Sequence, residues 1–110
     1  MKLAVIGSRD ICEVEIEKYL PDDISEIVSG GARGVDTVAK RYAQNKGIKI
    51  TEFLPNYKRY GRAAPLKRNE EIAAYSDALI AFWDGSSKGT EYTVKLFGKL
   101  GKPVTIIKIK

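Results

Sequence analysis

The sequence predicts a single α/β domain built on a five-stranded parallel sheet, and three observations predict it. Apolar runs of strand length alternate with amphipathic stretches, the pattern that puts helices between parallel strands. Three of those runs end in glycine and small polar residues, as strand-to-helix loops do. The chain of 110 residues, 44% of them hydrophobic, can bury one core and leaves no room for a second independent domain, so residues 1–110 read as one unit.

Residues 3–6 are an apolar run closed by Gly7 and Ser8, as a buried first strand requires. Residues 11–20 read as a helix, with Cys12, Ile16 and Leu20 recurring every fourth residue before Pro21 stops it. Residues 26–29 form a short second strand that runs directly into Gly30 and Gly31. The next helix has the clearest signal: Val35, Val38, Ala39, Tyr42 and Ala43 mark one face, and Gly47 supplies a C-terminal stop. Residues 48–54 alternate as a third strand. Residues 55–64 read as a polar and aromatic loop, after which Pro65 opens a helix whose Ile72, Ala73 and Ala74 face the sheet. Residues 78–83 are an apolar fourth strand ending in the loop 84–90. A last helix carries Val94, Phe97 and Leu100 before Gly101 and Pro103, and residues 104–107 close the sheet.

Five strands with four intervening helices on both faces of the sheet, wound right-handed, give a Rossmann-like three-layer fold of strand order 3-2-1-4-5. Strands 1 and 4 then flank the topological switch point. The loops after strands 1, 2 and 4 converge at the carboxyl edge of the sheet, where open α/β folds bind ligands.

Composition narrows the chemistry. The chain has no histidine and one cysteine, Cys12, so neither an intramolecular disulfide nor the usual zinc ligand sets are available, and no metal or cofactor is implied. No stretch approaches the roughly 20 apolar residues that span a bilayer, and the start is too short for a secretory apolar region, so a cytoplasmic protein without membrane contact is expected. The formal charge of +5 is unevenly spread. Acids crowd residues 13–26, whereas residues 57–69 hold Lys58, Arg59, Arg62, Lys67 and Arg68 with no acid. That balance suits an anionic ligand or nucleic acid, the alternative being a solvated basic face.

The loop Ser29-Gly30-Gly31-Ala32-Arg33-Gly34 lets the backbone turn tightly, and the helix after it presents unpaired N–H groups to a phosphate; a tight turn alone would need the same glycines. Arg33 can clamp an anion or pair with a surface carboxylate. Asp36 suits a helix start without any further role. Ser8 can donate to phosphate or cap the following turn. Lys67 and Arg68 fall in an expected first helical turn, where the dipole disfavours cations unless an anion lies nearby. Asn69 can orient a ligand or cap local backbone. After strand 4, Gly85, Ser86, Gly89 and Thr90 offer a second set of donors. Trp83 and Tyr60 can stack on a base, although Trp83 suits the core better.

These residues carry a family resemblance that covers nearly the whole chain. Gly7-Ser8-Arg9-Asp10, Ser29-Gly30-Gly31-Ala32-Arg33-Gly34-Val35-Asp36, Tyr60-Gly61-Arg62-Ala63-Ala64-Pro65, Arg68-Asn69, and Ala81-Phe82-Trp83-Asp84-Gly85 with Gly89-Thr90 occur in the order expected of the SLOG superfamily. The chain resembles its small stand-alone, YspA-like members. The resemblance implies a Rossmann-like domain for a nucleotide-derived ligand, in a sensor or carrier role. Residues 29–36 and Arg68-Asn69 also resemble the DprA family, which implies binding of single-stranded DNA. The related LOG family hydrolyses the N-glycosidic bond of nucleoside monophosphates with an arginine before the fourth strand and a glutamate after a Gly-Gly-x-Gly-Thr loop. Arg68 matches the arginine. The loop matches only in part, since Asp84-Gly85-Ser86-Ser87 replaces the usual proline and second glycine, and Glu91 stands one residue off the glutamate's place.

Three functions follow. The first is a binding domain for a nucleotide or nucleotide-derived ligand, held by Gly7, Ser8, Arg9, Ser29, Gly30, Gly31, Arg33, Gly34, Asp36, Arg68, Asn69, Trp83, Gly85, Ser86, Gly89 and Thr90. The second is a phosphoribohydrolase-type enzyme with Arg68, Glu91 and Asp84 as catalytic candidates, Glu71 as a further carboxylate, and carboxylates in place of histidine for acid and base work. The third is sequence-independent binding of single-stranded nucleic acid by the bases of 58–68 with Tyr57 and Tyr60 interleaved. A cleft on so small a domain also leaves room for a homo-oligomer in which a second chain completes it.

Overall fold

A computed structural model describes every residue except Arg9, Asp10, Cys12, Glu13, Ala32, Arg33 and Lys110. Five strands, β1 (Lys2–Gly7), β2 (Glu26–Ser29), β3 (Lys49–Glu52), β4 (Ala78–Trp83) and β5 (Val104–Lys108), pair in parallel in the order β3-β2-β1-β4-β5. This is the order expected from the sequence. The helices are α1 (Val35–Lys46), the short α2 (Tyr57–Tyr60), α3 (Ala64–Tyr75) and α4 (Lys88–Lys99).

Side chains alternate across a strand, so each central strand feeds two cores. Leu3, Val5, Ile27, Ile80 and Phe82 turn to one face, where Val35, Ala39 and Ala43 of α1 cover them. Ala4, Ile6, Val28, Leu79 and Ala81 turn to the other, against Ile72 of α3 and Phe97 of α4. Burial on both faces is why β1 and β4 read as unbroken apolar runs rather than alternating ones. The tight junction of β1 with its neighbours also explains Gly7: a methyl group there would lie 2.8 Å from the Phe82 carbonyl oxygen and 2.7 Å from Val35 Cβ. Helix α1 ends where Gly47 adopts φ 69°, and the Ile48 N–H reaches back to the Ala43 carbonyl at 2.9 Å.

Several elements depart from the expectation. In place of a helix over 11–20, the described residues there hold only a 3₁₀ turn at Ile16–Lys18. The Ile16 N–H bonds the Val14 carbonyl at 2.9 Å, a two-residue link foreign to an α-helical ladder. Ile11, Ile16 and Leu20 are nevertheless buried against the α1 face, because three apolar positions can be buried by a folded-over loop as well as by a helix. Cys12 lies outside the described residues. The expected loop 55–64 contains α2, capped by Asn56 Oδ1 accepting from the Arg59 N–H at 3.2 Å, and a 3₁₀ turn at Gly61–Ala63 that passes straight into α3. Ala74 is exposed while Ile72 and Ala73 are buried. Three consecutive helical residues span about 200° and cannot all face the sheet. Leu100 lies past the last turn of α4 and is 53% exposed. Trp83, weighed as core, is half-buried, its Nε1 donating to the Ser87 carbonyl at 3.1 Å.

At the amino edge, the register aligns Lys2, Glu26 and Lys49 across β1, β2 and β3. Glu26 is only 7% exposed, yet its carboxylate accepts from Thr51 Oγ1 and from the Tyr75 hydroxyl, both at 2.5 Å, with Lys49 Nζ at 3.7 Å. Burial pushes its carboxyl up, but the two hydroxyl donors and the nearby Lys49 and Lys2 outweigh it, and the net result is a pKa below the ordinary 4.5. A depressed carboxylate stabilises the fold above its unfolded value and loses that contribution as pH falls through its folded value. Acid unfolding should therefore steepen below 4.5. Urea midpoints measured across that window should fall less steeply for Glu26→Gln than for the unsubstituted chain; parallel curves would refute the assignment. Among the described residues, no helix is long and apolar enough to cross a membrane.

Candidate functional site

The carboxyl ends of β1, β2 and β4 open into a cleft of about 460 Å³. Ile6 and Gly7 close its base, and Gly30 and Asp36 reach it from the β2 side. Helix α3 contributes Pro65, Leu66, Arg68, Asn69 and Ile72. The loop after β4 and the first turns of α4 complete it with Asp84, Ser86, Ser87, Gly89, Thr90 and Thr93.

Its polar framework centres on the Gly30 backbone. The Gly30 N–H donates to Asp36 Oδ2 at 3.1 Å, and the Gly30 carbonyl accepts from Arg68 Nη1 at 2.7 Å. Arg68 Nε donates to Asn69 Oδ1 at 2.8 Å. The guanidinium occupies the space a side chain at residue 30 would need, which is why glycine stands there. Gly31 has φ 68°, a region that favours glycine, and its N–H donates to Ser29 Oγ at 3.3 Å. The Gly30 and Gly31 amides, two of those expected to face phosphate, are thus engaged by the chain's own side chains.

The second loop is organised in the same way. Asp84 Oδ1 accepts from the Ser86 and Ser87 N–H groups at 2.8 and 2.9 Å. The Ser86 and Ser87 amides, with Ser8 and Ser86 hydroxyls beside them, hold the Asp84 carboxyl below its ordinary value of 3.8. Ser87 caps α4, its Oγ accepting from the Thr90 N–H at 3.4 Å and from Thr90 Oγ1 at 3.1 Å.

The structure brings Gly7, Gly30, Asp36, Arg68, Asn69, Asp84, Ser86, Gly89 and Thr90 together on the cleft. Ser8 sits behind it: buried, it donates its N–H to the Phe82 carbonyl at 3.0 Å and accepts from the Asp84 N–H through Oγ at 3.2 Å. Ser29, Gly31 and Gly34 support the Gly30 turn without lining the cleft, Gly34 being the cap residue of α1. Trp83 and Gly85 also stand outside the lining. So does Glu91, which pairs with Lys95 Nζ at 3.5 Å. Arg9 and Arg33 lie outside the described residues. Tyr60 borders a separate depression with Lys67, Glu70, Glu71 and Ala74.

The expected conflict of Arg68 with the helix dipole is milder than the sequence suggested. The 3₁₀ turn at Gly61–Ala63 runs into α3, and Arg68 lies beyond its first turn with its charge on the Gly30 carbonyl. Sequence reasoning missed Ser87, although a serine just before a helical run is a cap signal. It also missed Pro65, Leu66, Ile72 and Thr93 as residues that line the cleft.

A family model described as the YspA, cpYpsA-related SLOG family matches residues 1–60. The chain is 36% identical over 84 residues to the gene 61 protein of Mycobacterium phage D29, an alignment covering 71% of this chain and 67% of that protein. Among solved structures, the DNA processing protein A (DprA) of Streptococcus pneumoniae superposes with a TM-score of 0.79 at 23% sequence identity, over 99% of this chain. The chain spans half the length of that DprA chain, 50%, and the likeness is one of fold. With 60 of its residues matched by the family model, the chain belongs to the YspA, cpYpsA-related SLOG family.

Proposed function

We propose that this chain binds a nucleotide or nucleotide-derived, phosphate-containing ligand in the cleft at the carboxyl edge of the sheet, in a sensor or carrier role. One observation carries the reading: a cleft of about 460 Å³ at the switch point between β1 and β4, with the Arg68 guanidinium and the start of α4 on its walls. That volume falls in the range of about 300–1,000 Å³ that suits small organic ligands. The Thr90 N–H is held by the Ser87 cap, which leaves the Gly89 N–H on the cleft wall at the positive dipole end of α4. Binding is favoured over glycosidic hydrolysis by the position of Glu91, turned to Lys95, and by Asp84, whose lowered pKa suits an acceptor rather than a proton donor.

A thermal-shift panel of mononucleotides, cyclic nucleotides and dinucleotides tests the reading. A ligand at about one hundred times its Kd adds about 2.7 kcal/mol of stability, enough to raise the melting midpoint by about 10 °C. No shift from any of them at saturation would overturn it.

A second reading, binding of single-stranded nucleic acid, is favoured by the surface beside Arg68. Tyr57 is 58% exposed, Lys58, Arg59 and Arg62 are exposed, and the Arg59 guanidinium lies 5.3 Å from the Tyr60 ring centre. A labelled oligonucleotide should then bind at low salt and lose affinity steeply as salt rises. Absence of binding at low salt would remove this reading.

A further inference from the structure

We propose that the ligand of this cleft carries a free vicinal diol, as a ribonucleotide does, and that Asp84 is the residue that reads it; this rests on the nucleotide reading above. A phosphate ordinarily takes up backbone N–H donors at a strand-to-helix loop. In the loop after β2, the Gly30 N–H already donates to Asp36, and in the loop after β4 the Ser86 and Ser87 N–H groups already donate to Asp84. A bare phosphate approaching either loop meets a carboxylate, and two like charges about 4 Å apart repel. At Gly30, Ser86 and Ser87 the ligand thus meets carboxylate acceptors in place of free amides.

Asp84 is the better placed of the two acids. Its Oδ1 takes three donors, the Ser86 and Ser87 amides and the Ser86 hydroxyl, and the Ser8 hydroxyl also stands beside the carboxyl, whereas no Ser86 or Ser87 group is directed to its Oδ2. Asp84 lines the cleft, and a carboxylate with one oxygen fixed presents the other as a directed acceptor. The Ser86 and Ser87 amides also keep it ionised. In dinucleotide-binding Rossmann domains an acidic side chain at the carboxyl edge of the sheet accepts from a ribose hydroxyl, and Asp84 offers the same chemistry after β4.

Donors in the same cleft fit the other end of such a molecule. Asn69 is only 9% exposed, and because arginine can only donate, its Oδ1 is the atom facing Arg68 Nε. Its Nδ2 is left as a donor without an acceptor among the described residues, on a residue that lines the cleft. The Arg68 charge and the Gly89 N–H in the first turn of α4 add to it. The cleft therefore presents a cation and donors together with a directed carboxylate. A ribonucleotide answers both; inorganic phosphate and a deoxynucleotide chain without a diol answer only the first.

The experiment is calorimetric titration of the full chain with the four ribonucleoside 5′-monophosphates, their 2′,3′-dideoxy counterparts and inorganic phosphate, repeated with Asp84→Asn. That substitution keeps the acceptor for Ser86 and Ser87 and exchanges the free oxygen for an amide. The expected result is that at least one ribonucleotide binds about ten- to a hundredfold more tightly than its dideoxy counterpart. Asp84→Asn should then weaken the ribonucleotide by a similar factor and leave the dideoxy compound nearly unchanged. Equal binding of the two sugars by the unsubstituted chain would overturn the diol inference and leave the nucleotide reading standing, as would a preference that survives in Asp84→Asn. Failure of every nucleotide to bind would remove both. If Asp84→Asn fails to fold, the ratio measured on the unsubstituted chain decides.

Discussion

Replacing Phe82 by alanine is expected to lower the unfolding free energy by about 3–5 kcal/mol and the melting midpoint by at least about 10 °C. Phe82 is fully buried near the end of β4, on the face that α1 covers, with the Tyr19 ring edge-on at 5.6 Å. The cavity left behind cannot close easily, because β4 is held between β1 and β5 by its register. The effect should reach the cleft as well: the Phe82 carbonyl holds the Ser8 N–H, and Ser8 Oγ in turn holds the Asp84 N–H. Ile106→Ala, at a position 45% exposed on the edge strand, serves as the comparison and should cost well under the buried change. Urea and thermal unfolding of both variants check the claim. A Phe82→Ala shift no larger than that of Ile106→Ala would refute it.

Phe82 also shows how far the sequence reaches. It stands in an apolar run whose identity as a strand, and whose place beside β1, followed from pattern and handedness alone. The same reasoning supplied the strand order and the convergence of the loops on one edge. What failed was periodicity with too few hits: Ile16 and Leu20 are buried as a helix would bury them, yet the chain between β1 and β2 reaches its core through a 3₁₀ turn. At the cleft, residue type pointed to Gly30, Arg68, Asn69 and Asp84, all of which line it. What it could not reveal was their mutual bonding. The two glycine-bearing loops read as banks of free amides, whereas Asp36 takes up the Gly30 amide and Asp84 those of Ser86 and Ser87, so that at these positions the loops present acceptors. That inversion depends on side chains six or fewer positions away folding back onto their own loops, which no spacing rule distinguishes from a carboxylate pointing to solvent.

The second large effect is expected at Arg68. Arg68→Ala removes the charge-assisted hydrogen bonds to the Gly30 carbonyl and to Asn69 Oδ1, and should cost about 1–3 kcal/mol of stability. Its effect on the cleft is larger in kind, since it takes away the one cation among the described residues that line it. Nucleotide affinity should fall about a hundredfold. Arg68→Lys should recover little of this, because a lysine ammonium cannot serve the Gly30 carbonyl and Asn69 together in the geometry of a planar fork. Gly30→Ala approaches the same contact from the other side. Residue 30 has no positive φ, so the backbone accepts alanine, but the methyl group would displace the Arg68 guanidinium, a flexible side-chain end rather than backbone. Gly30→Ala should therefore keep the fold with a smaller stability loss than Arg68→Ala and still lose most of the nucleotide affinity. Calorimetric titration of the three variants beside the unsubstituted chain separates these effects, and undiminished binding by both Arg68→Ala and Gly30→Ala would show that the Arg68 to Gly30 contact holds the loop without serving a ligand.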